Sequence, residues 1–405
     1  MVIGKFHSWV AGLFALLAAA ASGAHEHAPA PRTQALQKQW ERRLAEARTL
    51  AHATAIDERG VLWKASVKEG HVWVSHSADG GKSFSPAVRV NETPEAIQAD
   101  GDNRPRLSVG GGVVALAWAQ ALPKRFAGHV RFARSTDGGK RFSSPITINS
   151  DPQEIGHSFV AMSMHEDGHL VLAWLDSRDR AAAAAGRAHR GSSVYYAVSA
   201  DRGANFSPDA RLASHSCECC RIALTHAPSG AAVALWRHVF EDGSRDFALA
   251  ELRTDTSLTR ASQDGWKIQA CPHHGGDLAI AAGGRTHLAW FTGATGAAGL
   301  FYRYLEGAKW REPLPFGNNA AQAGHPAVHA QGNAVHLAWR EFDGARFNLW
   351  FMRSLDGGEN WSAPRSLASG EGPADQPLFV AQAKRPLLAW FHDQQVEIFD
   401  LETQQ

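Results

Sequence analysis

Sulfur and imidazole crowd into two short stretches of this 405-residue chain. All four cysteines fall in Ser214-His215-Ser216-Cys217-Glu218-Cys219-Cys220-Arg221 and Gln269-Ala270-Cys271-Pro272-His273-His274-Gly275. Two chemistries suit such residues. Disulfides could brace the two segments. Four cysteines allow three full pairings, and a bond between the adjacent Cys219 and Cys220 is strained. Alternatively Cys217, Cys219, Cys220 and Cys271, with His215, His273 or His274, hold copper or another soft metal, since thiolate and imidazole select such ions. The spacing matches no standard zinc finger. A second copper motif would arise if the chain is cut after Ala24. The new N-terminus His25-Glu26-His27 offers an amine and two imidazoles for a square-planar Cu(II) site, against the plainer reading of a chance pair in a tail.

The elements that position these groups are short strands. An apolar run ending in Trp recurs at Trp118, Trp174, Trp236, Trp290, Trp339 and Trp390, with a weaker copy at Trp63. A period near fifty residues predicts an all-β propeller of about four strands per blade. Seven repeats are counted over 50–405, with six blades as the alternative if the weak first and short last units merge. The last unit stops after three strands. A second pattern, Ser-x-Asp-x-Gly-x-x-aromatic, occurs at Asp79, Asp137, Asp201 and Asp356. There Ser and Asp can bond backbone N–H groups and Gly accepts positive φ. These turns are assigned between the third and fourth strands. Decayed copies are expected around Asp264-Gly265-Trp266 and Glu306–Trp310.

Antiparallel blades place alternate loops on opposite faces. The aspartate turns therefore share one face with the loops between first and second strands, and are structural. The opposite mouth gathers Arg104, Arg106, His157, His325, Asp176, Arg178, Arg237, His238, Glu241, Arg340, Glu341 and His392, together with the cysteines. Convergent titratable groups at a propeller mouth are the default binding site. Arg104, Arg106, Asp176, Arg237, Glu241, Arg340 and Glu341 are the catalytic candidates; His157, Arg178, His238, His325 and His392 are candidate ligand-mouth residues.

With its four aspartate turns, known as Asp boxes, the chain resembles the sialidase/BNR-repeat superfamily over essentially all of 50–401. The Cys-x-Cys-Cys and Cys-Pro-His-His segments resemble an exported bacterial subgroup. The resemblance implies a sialidase-type propeller, conventionally six-bladed, acting on or binding glycans. It also implies an arginine triad for a sugar carboxylate, a Tyr–Glu nucleophile pair and an Asp acid/base. Asn103-Arg104-Pro105-Arg106 is the nearest match to the first arginine motif, lacking its Phe. Arg237 and Arg340 are candidates for the other two cations, Asp176 or Asp179 for the acid/base, and Glu241 or Glu341 for the Tyr partner. Tyr195, Tyr196, Tyr302 and Tyr304 all fall on third strands, away from the channel, so the covalent route lacks its nucleophile.

Composition sets the remaining bounds. With 41 basic and 40 acidic residues, the formal charge of +1 gives no case for a nucleic-acid or anionic-membrane partner. Residues 1–24 read as an export signal: Lys5, then an apolar stretch from Trp9 to Ala20 too short to span a bilayer, then Ser22-Gly23-Ala24. No later segment suggests a membrane span. Residues 25–49 read as a flexible stretch followed by a packing helix beginning near Thr33. The expected location is the periplasm or outside the cell. The expected partner is a small molecule, a glycan or a protein ligand at the mouth: either binding there, or sialidase-type glycoside hydrolysis.

Overall fold

A computed structural model describes residues 51–99, 101–183, 189–393 and 395–403. The export signal, the tail and the helix expected up to residue 49 lie outside the described residues. Among those described, no helix is long and apolar enough to cross a membrane.

Seven antiparallel sheets follow one another along the chain, each built outward in chain order from an innermost strand. This is the seven-bladed count; the six-bladed alternative is not what forms. Blades one, three, four and six have four strands and blade seven has three, Leu378–Phe379, Leu387–His392 and Gln395–Asp400. In blades two and five an extra short strand shares the pairing: Ile97–Gln98 and Arg106–Gly110 both pair with Val113–Ala121, and Lys309–Trp310 and Leu314–Phe316 both pair with Gly299–Glu306. The ring closes where Ala55 of blade one bridges Ala381 of blade seven in parallel sense. Ile56 N–H donates to the Ala381 carbonyl at 3.0 Å and Ala381 N–H to that of Thr54 at 3.2 Å.

The cores lie between neighbouring blades, because each sheet is apolar on both faces. Second strands such as Leu170–Asp176 are buried throughout. The six repeating tryptophans are buried at the mouth end of these strands, and truncating one would cost about 3–5 kcal/mol. Most indole N–H groups find an acceptor: Trp118 donates to Glu95, Trp174 to Asp176, Trp290 to Asp264, Trp339 to Glu341 and Trp390 to the Asp375 carbonyl. Trp63 is not their equivalent. In blades two, three and six, the tryptophan pairs with the residue four before the turn serine: Arg131, Tyr195 and Trp350. By that register Ser66, paired with Trp73, holds the position in blade one. Trp63 sits at the opposite end of its strand.

The four Asp boxes form as expected between third and fourth strands. Ser135 Oγ donates to Asp137 Oδ1 at 2.8 Å and accepts from Gly139 N–H at 2.9 Å; Arg141 N–H donates to the same carboxylate. Asp79, Asp201 and Asp356 repeat this bonding. The boxes also seal the ring. The glycine two residues after each aspartate sits where a Cβ would strike the preceding blade: Gly139 against Trp63 at 2.6 Å, Gly203 against Phe132 at 2.4 Å, Gly358 against Tyr302 at 2.0 Å and Gly81 against Ile398 at 3.1 Å. One of the two decayed turns is misplaced in the sequence reading. Glu306–Trp310 does join third and fourth strands of blade five, but Asp264-Gly265-Trp266 follows the last strand of blade four, Thr259–Arg260. Its Asp264 is the acceptor for Trp290, and Trp266 fills the space above Gly293. Aspartate, glycine and an aromatic recur there for a tryptophan partner, not for a serine lock.

Candidate functional site at the channel mouth

Irregular innermost strands deliver the polar groups. In blade two, residues 101–105 interrupt the inner edge and carry Asp102, Asn103 and Arg104, all buried, into the mouth. In blades three and six the inner strands slip register at Ser158/Ala161 and Gly324/Ala327. Phe159 and His325 take left-handed φ values of 54° and 53° at those bulges, which re-aim side chains at a strand end.

The mouth is capped by a charge network centred on Arg221, which follows the cysteines. Its guanidinium donates to Asp102 Oδ1 at 3.0 Å, Gln376 Oε1 at 2.7 Å and the carbonyls of Gly276 and Pro326, tying blade four to blades two, five, six and seven. Gly275 N–H also donates to Asp102 at 3.2 Å, and a Cβ on Gly275 would meet Arg221 at 2.1 Å. Burial works to raise the Asp102 pKa, but Arg221, His325 and Arg104 hold it well below the usual carboxylate range. Arg104 forks onto Asp375, with Nη2 2.8 Å from Oδ1. Arg106 donates to the carbonyls of Val160 and Asp102, and burial beside Arg104 and Arg221 pushes its pKa down to about 10. Below the cap a channel of about 340 Å³ is lined by Arg106, Ser108, Arg221 and Asp277 and by the inner strands of blades three to seven. Asp102, Arg221 and Gln376 were not singled out from the sequence. The only available hint was that Arg221 directly follows Cys219-Cys220 at the start of an innermost strand.

The cysteine segments do converge. Cys217, Cys219 and Cys220 are 1 %, 4 % and 2 % exposed. Cys217 Sγ lies 3.9 Å from Cys219 Sγ and 3.8 Å from Cys220 Sγ, and all three sulfurs lie within 4.8 Å of one another. All four cysteines are free thiols in this structure, and these separations are far beyond the roughly 2.05 Å of a disulfide. Arg245 Nη1 donates to Cys217 Sγ at 3.2 Å. Hydrogen bonds from Cys219 and Cys220, with Arg237 and Arg245 nearby, push the Cys217 pKa well down against burial. The bonds from Cys217 and Cys220 push Cys219 up, and the bond from Cys217 with burial pushes Cys220 up. A second group shares one member: Cys219, Cys271 and His273 place their ligand atoms within 4.8 Å of one another, with Cys271 and His273 exposed. His215 is not in either group. Its Nδ1 accepts from Arg190 N–H at 3.1 Å, and its ring tilts against His189. His274 is likewise elsewhere, stacked on Phe291 at 4.3 Å and leaning on His325, with burial pushing its pKa down to about 4.

The catalytic candidates are held by other contacts. Arg237 donates to the carbonyls of Arg245, His274 and Phe291 and lies over Phe247 and Trp266. Arg340 donates to the Ala374 carbonyl and covers Phe347. Asp176 receives Trp174 and the Nε–Nη2 edge of Arg178; Glu341 receives Trp339 and Asn318 N–H, each at 2.7 Å. Both carboxylates anchor the tryptophan two residues before them, which is why they recur at that spacing. Asp179 bonds Ser193 and Tyr195. Glu241 is exposed on the loop after blade four's second strand. The four tyrosines are on third strands, as expected.

Of the ligand-mouth histidines, His238 is buried against Phe240, and burial pushes its pKa down to about 4. His392 stacks on Trp390 and faces Glu397. His157 Nδ1–H donates to the Gly128 carbonyl, and its Nε2 lies 3.6 Å from Asp176 and 3.9 Å from Asp151. Arg178, bonded to Asp176 and Asp209, already neutralises that pocket and covers Tyr195.

No family model and no curated protein sequence matches the chain. Solved structures do match in fold. The lectin BP39L from Burkholderia pseudomallei superposes with a TM-score of 0.59 at 12% identity, over 87% of this chain and 95% of its own. A PL25 ulvan lyase bound to a GlcA(1-4)Rha3S saccharide gives 0.54 at 12% identity, over 87% and 92%. The polysaccharide lyase Uly1 gives 0.55 at 9% identity, over 86% and 89%. At such identities the likeness is one of propeller architecture, shared with glycan-active proteins.

Proposed function

We propose that this chain is an exported, Asp-box propeller of the sialidase superfamily whose mouth binds a soft metal ion, Cu(I) foremost, through Cys217, Cys219 and Cys220. One observation carries the reading: the sulfur spacing. With metal–sulfur bonds of about 2.3 Å, ligand edges are about 3.8 Å in a tetrahedron and about 4.0 Å in a trigonal plane. The two edges at Cys217, 3.8 and 3.9 Å, fit either, and the third sulfur pair lies within 4.8 Å. Charge favours a monovalent ion. Three thiolates around Cu(I) carry two negative charges, and Arg237 and Arg245 act on Cys217. Burial of all three sulfurs excludes water and oxidant. The test is an anaerobic Cu(I) titration of the reduced protein against a coloured chelator, with absorption in the thiolate-to-copper region. One tightly held equivalent, lost in Cys217→Ser, is expected. Wild-type protein that leaves all copper with the chelator would overturn the reading.

A second reading, carbohydrate binding, is favoured by Phe126. This side chain is 75% exposed on the mouth-side loop after the second strand of blade two, with Arg125 over its ring. An exposed aromatic offers a sugar face a stacking platform, and the lectin and lyase structures share the architecture. A glycan array probed with wild type and Phe126→Ala decides it. Sialidase-type hydrolysis is the reading the site supports least, because Arg237, Arg340, Asp176 and Glu341 are committed to structural partners and the tyrosines lie on third strands.

A further inference from the structure

Cys219 belongs to two ligand groups at once, one buried and one open to solvent. We propose that Cys271 and His273 form a loading site, from which a soft ion passes through Cys219 to the buried trithiolate. This rests on the metal reading above. The outer pair is carried by the segment between the last strand of blade four and the first of blade five, which has no regular structure from Ala261 to Gly276. That segment is clamped directly behind the pair. Gly275 N–H is bonded to Asp102, the His274 carbonyl accepts from Arg237, and a Cβ on Gly276 would meet Phe247 at 2.9 Å. His273 itself takes a left-handed φ of 53°. An imidazole in a strained backbone at the edge of a rigid anchor is held near the sulfurs, not left to drift. Exposure falls from the outer pair to the inner sulfurs, so an incoming ion meets Cys271 and His273 first.

The transfer is ligand exchange without oxidation or reduction. A donor's thiolate leaves Cu(I) as Cys271 Sγ binds, and the departing thiolate takes up the proton that Cys271 gives up. His273 binds beside it; Cys219 Sγ then displaces His273, and Cys217 and Cys220 displace Cys271, whose thiolate takes back one of the three protons the inner thiols release while the freed His273 imidazole passes the other two to solvent. The partner is therefore a donor that carries Cu(I) on sulfur and can reach an exposed loop, but cannot reach buried thiols.

The experiment loads reduced full-length protein anaerobically with Cu(I)–glutathione, following the rate by stopped-flow absorption and the affinity by chelator competition. For Cys271→Ser combined with His273→Ala, loading slower by at least about tenfold with affinity within about threefold of wild type is expected. Loading at the wild-type rate overturns the relay and leaves the inner site intact. Affinity that falls along with the rate also overturns it, because the outer pair would then be ligands of one common site. If Cys217→Ser binds Cu(I) as tightly as wild type, the metal reading itself is wrong and the relay falls with it. Both outer residues are exposed, and Cys271→Ser and His273→Ala measured singly guard against a folding defect in the double variant.

Discussion

Arg221 shows how one side chain can organise a channel. Its five-pronged donor set meets a carboxylate, an amide and two carbonyls from four other blades, so little of its charge is left uncompensated. Removing one member of a buried pair leaves the other charge stranded, at about 3–5 kcal/mol. Asp102→Ala should therefore lower the unfolding free energy from denaturant titration by that amount, whereas Glu241→Ala on its exposed loop should leave it unchanged. Equal, small effects of both would mean the cap is not a structural hub. The residue scale was also where reading the sequence fell short. Asp176 and Glu341 have the identity and loop position of acid/base groups, and nothing in the chain shows that each is committed to an indole N–H. The cysteines were easier to read. Two segments separated by one repeat must lie side by side in a propeller, so their convergence followed from counting. Their closeness to 3.8 Å did not, because it depends on where the backbone turns within each loop.

At the scale of the element, the blade was legible in almost every particular. Alternation, a period near fifty and locked turns define seven units, and seven sheets form in that order. The failures share a cause. Trp63 and Asp264-Gly265-Trp266 carry the right residue types in the wrong register, and only pairing distinguishes them. The structure adds a role for the Asp box that its internal hydrogen bonds do not suggest. The glycine two residues after its aspartate admits an apolar or aromatic side chain of the preceding blade. Gly203→Ala would place a Cβ 2.4 Å from Phe132 at a φ of 79°. Steric overlap and backbone strain together should cost about 2–4 kcal/mol. Gly80→Ala, at a φ of 75° but with open space around it, should cost only about 1 kcal/mol from strain. Equal losses in thermal unfolding would show that strain alone matters and that the interblade seal does not.

For the molecule as a whole, acid should be the destabilising direction. Burial pushes His226, His287 and His336 down to about 4, below the value near 6.5 of an unfolded chain. Between these values the unfolded chain binds more protons, so the stabilisation is complete above pH 6.5 and is lost as pH falls towards 4. The Asp-box carboxylates act in the next window down. Serine and backbone N–H bonds lower Asp79 and Asp356, and asparagine bonds hold Asp201 near 2. Their contribution is present above about pH 4 and disappears below it. Thermal midpoints should fall from pH 7 to pH 4 and again below; a midpoint independent of pH from 7 to 4 would contradict the histidine assignment.

The parallel bridge between Ala55 and Ala381 fixes the order in which the molecule can be completed. The first and last blades are joined by that bridge, by the His52–Phe391 stack and by the apolar cluster of Leu62, Ile56 and Phe84 with Val380, Leu387 and Ile398, so the circle cannot shut until its final segment has been made. Cys217 to Cys271 lie within two consecutive repeats near the middle of the chain. Cys217 to Cys271 are therefore made before Gln376, the distal anchor for Arg221. The cap over the mouth is finished only when the seventh blade docks against the first.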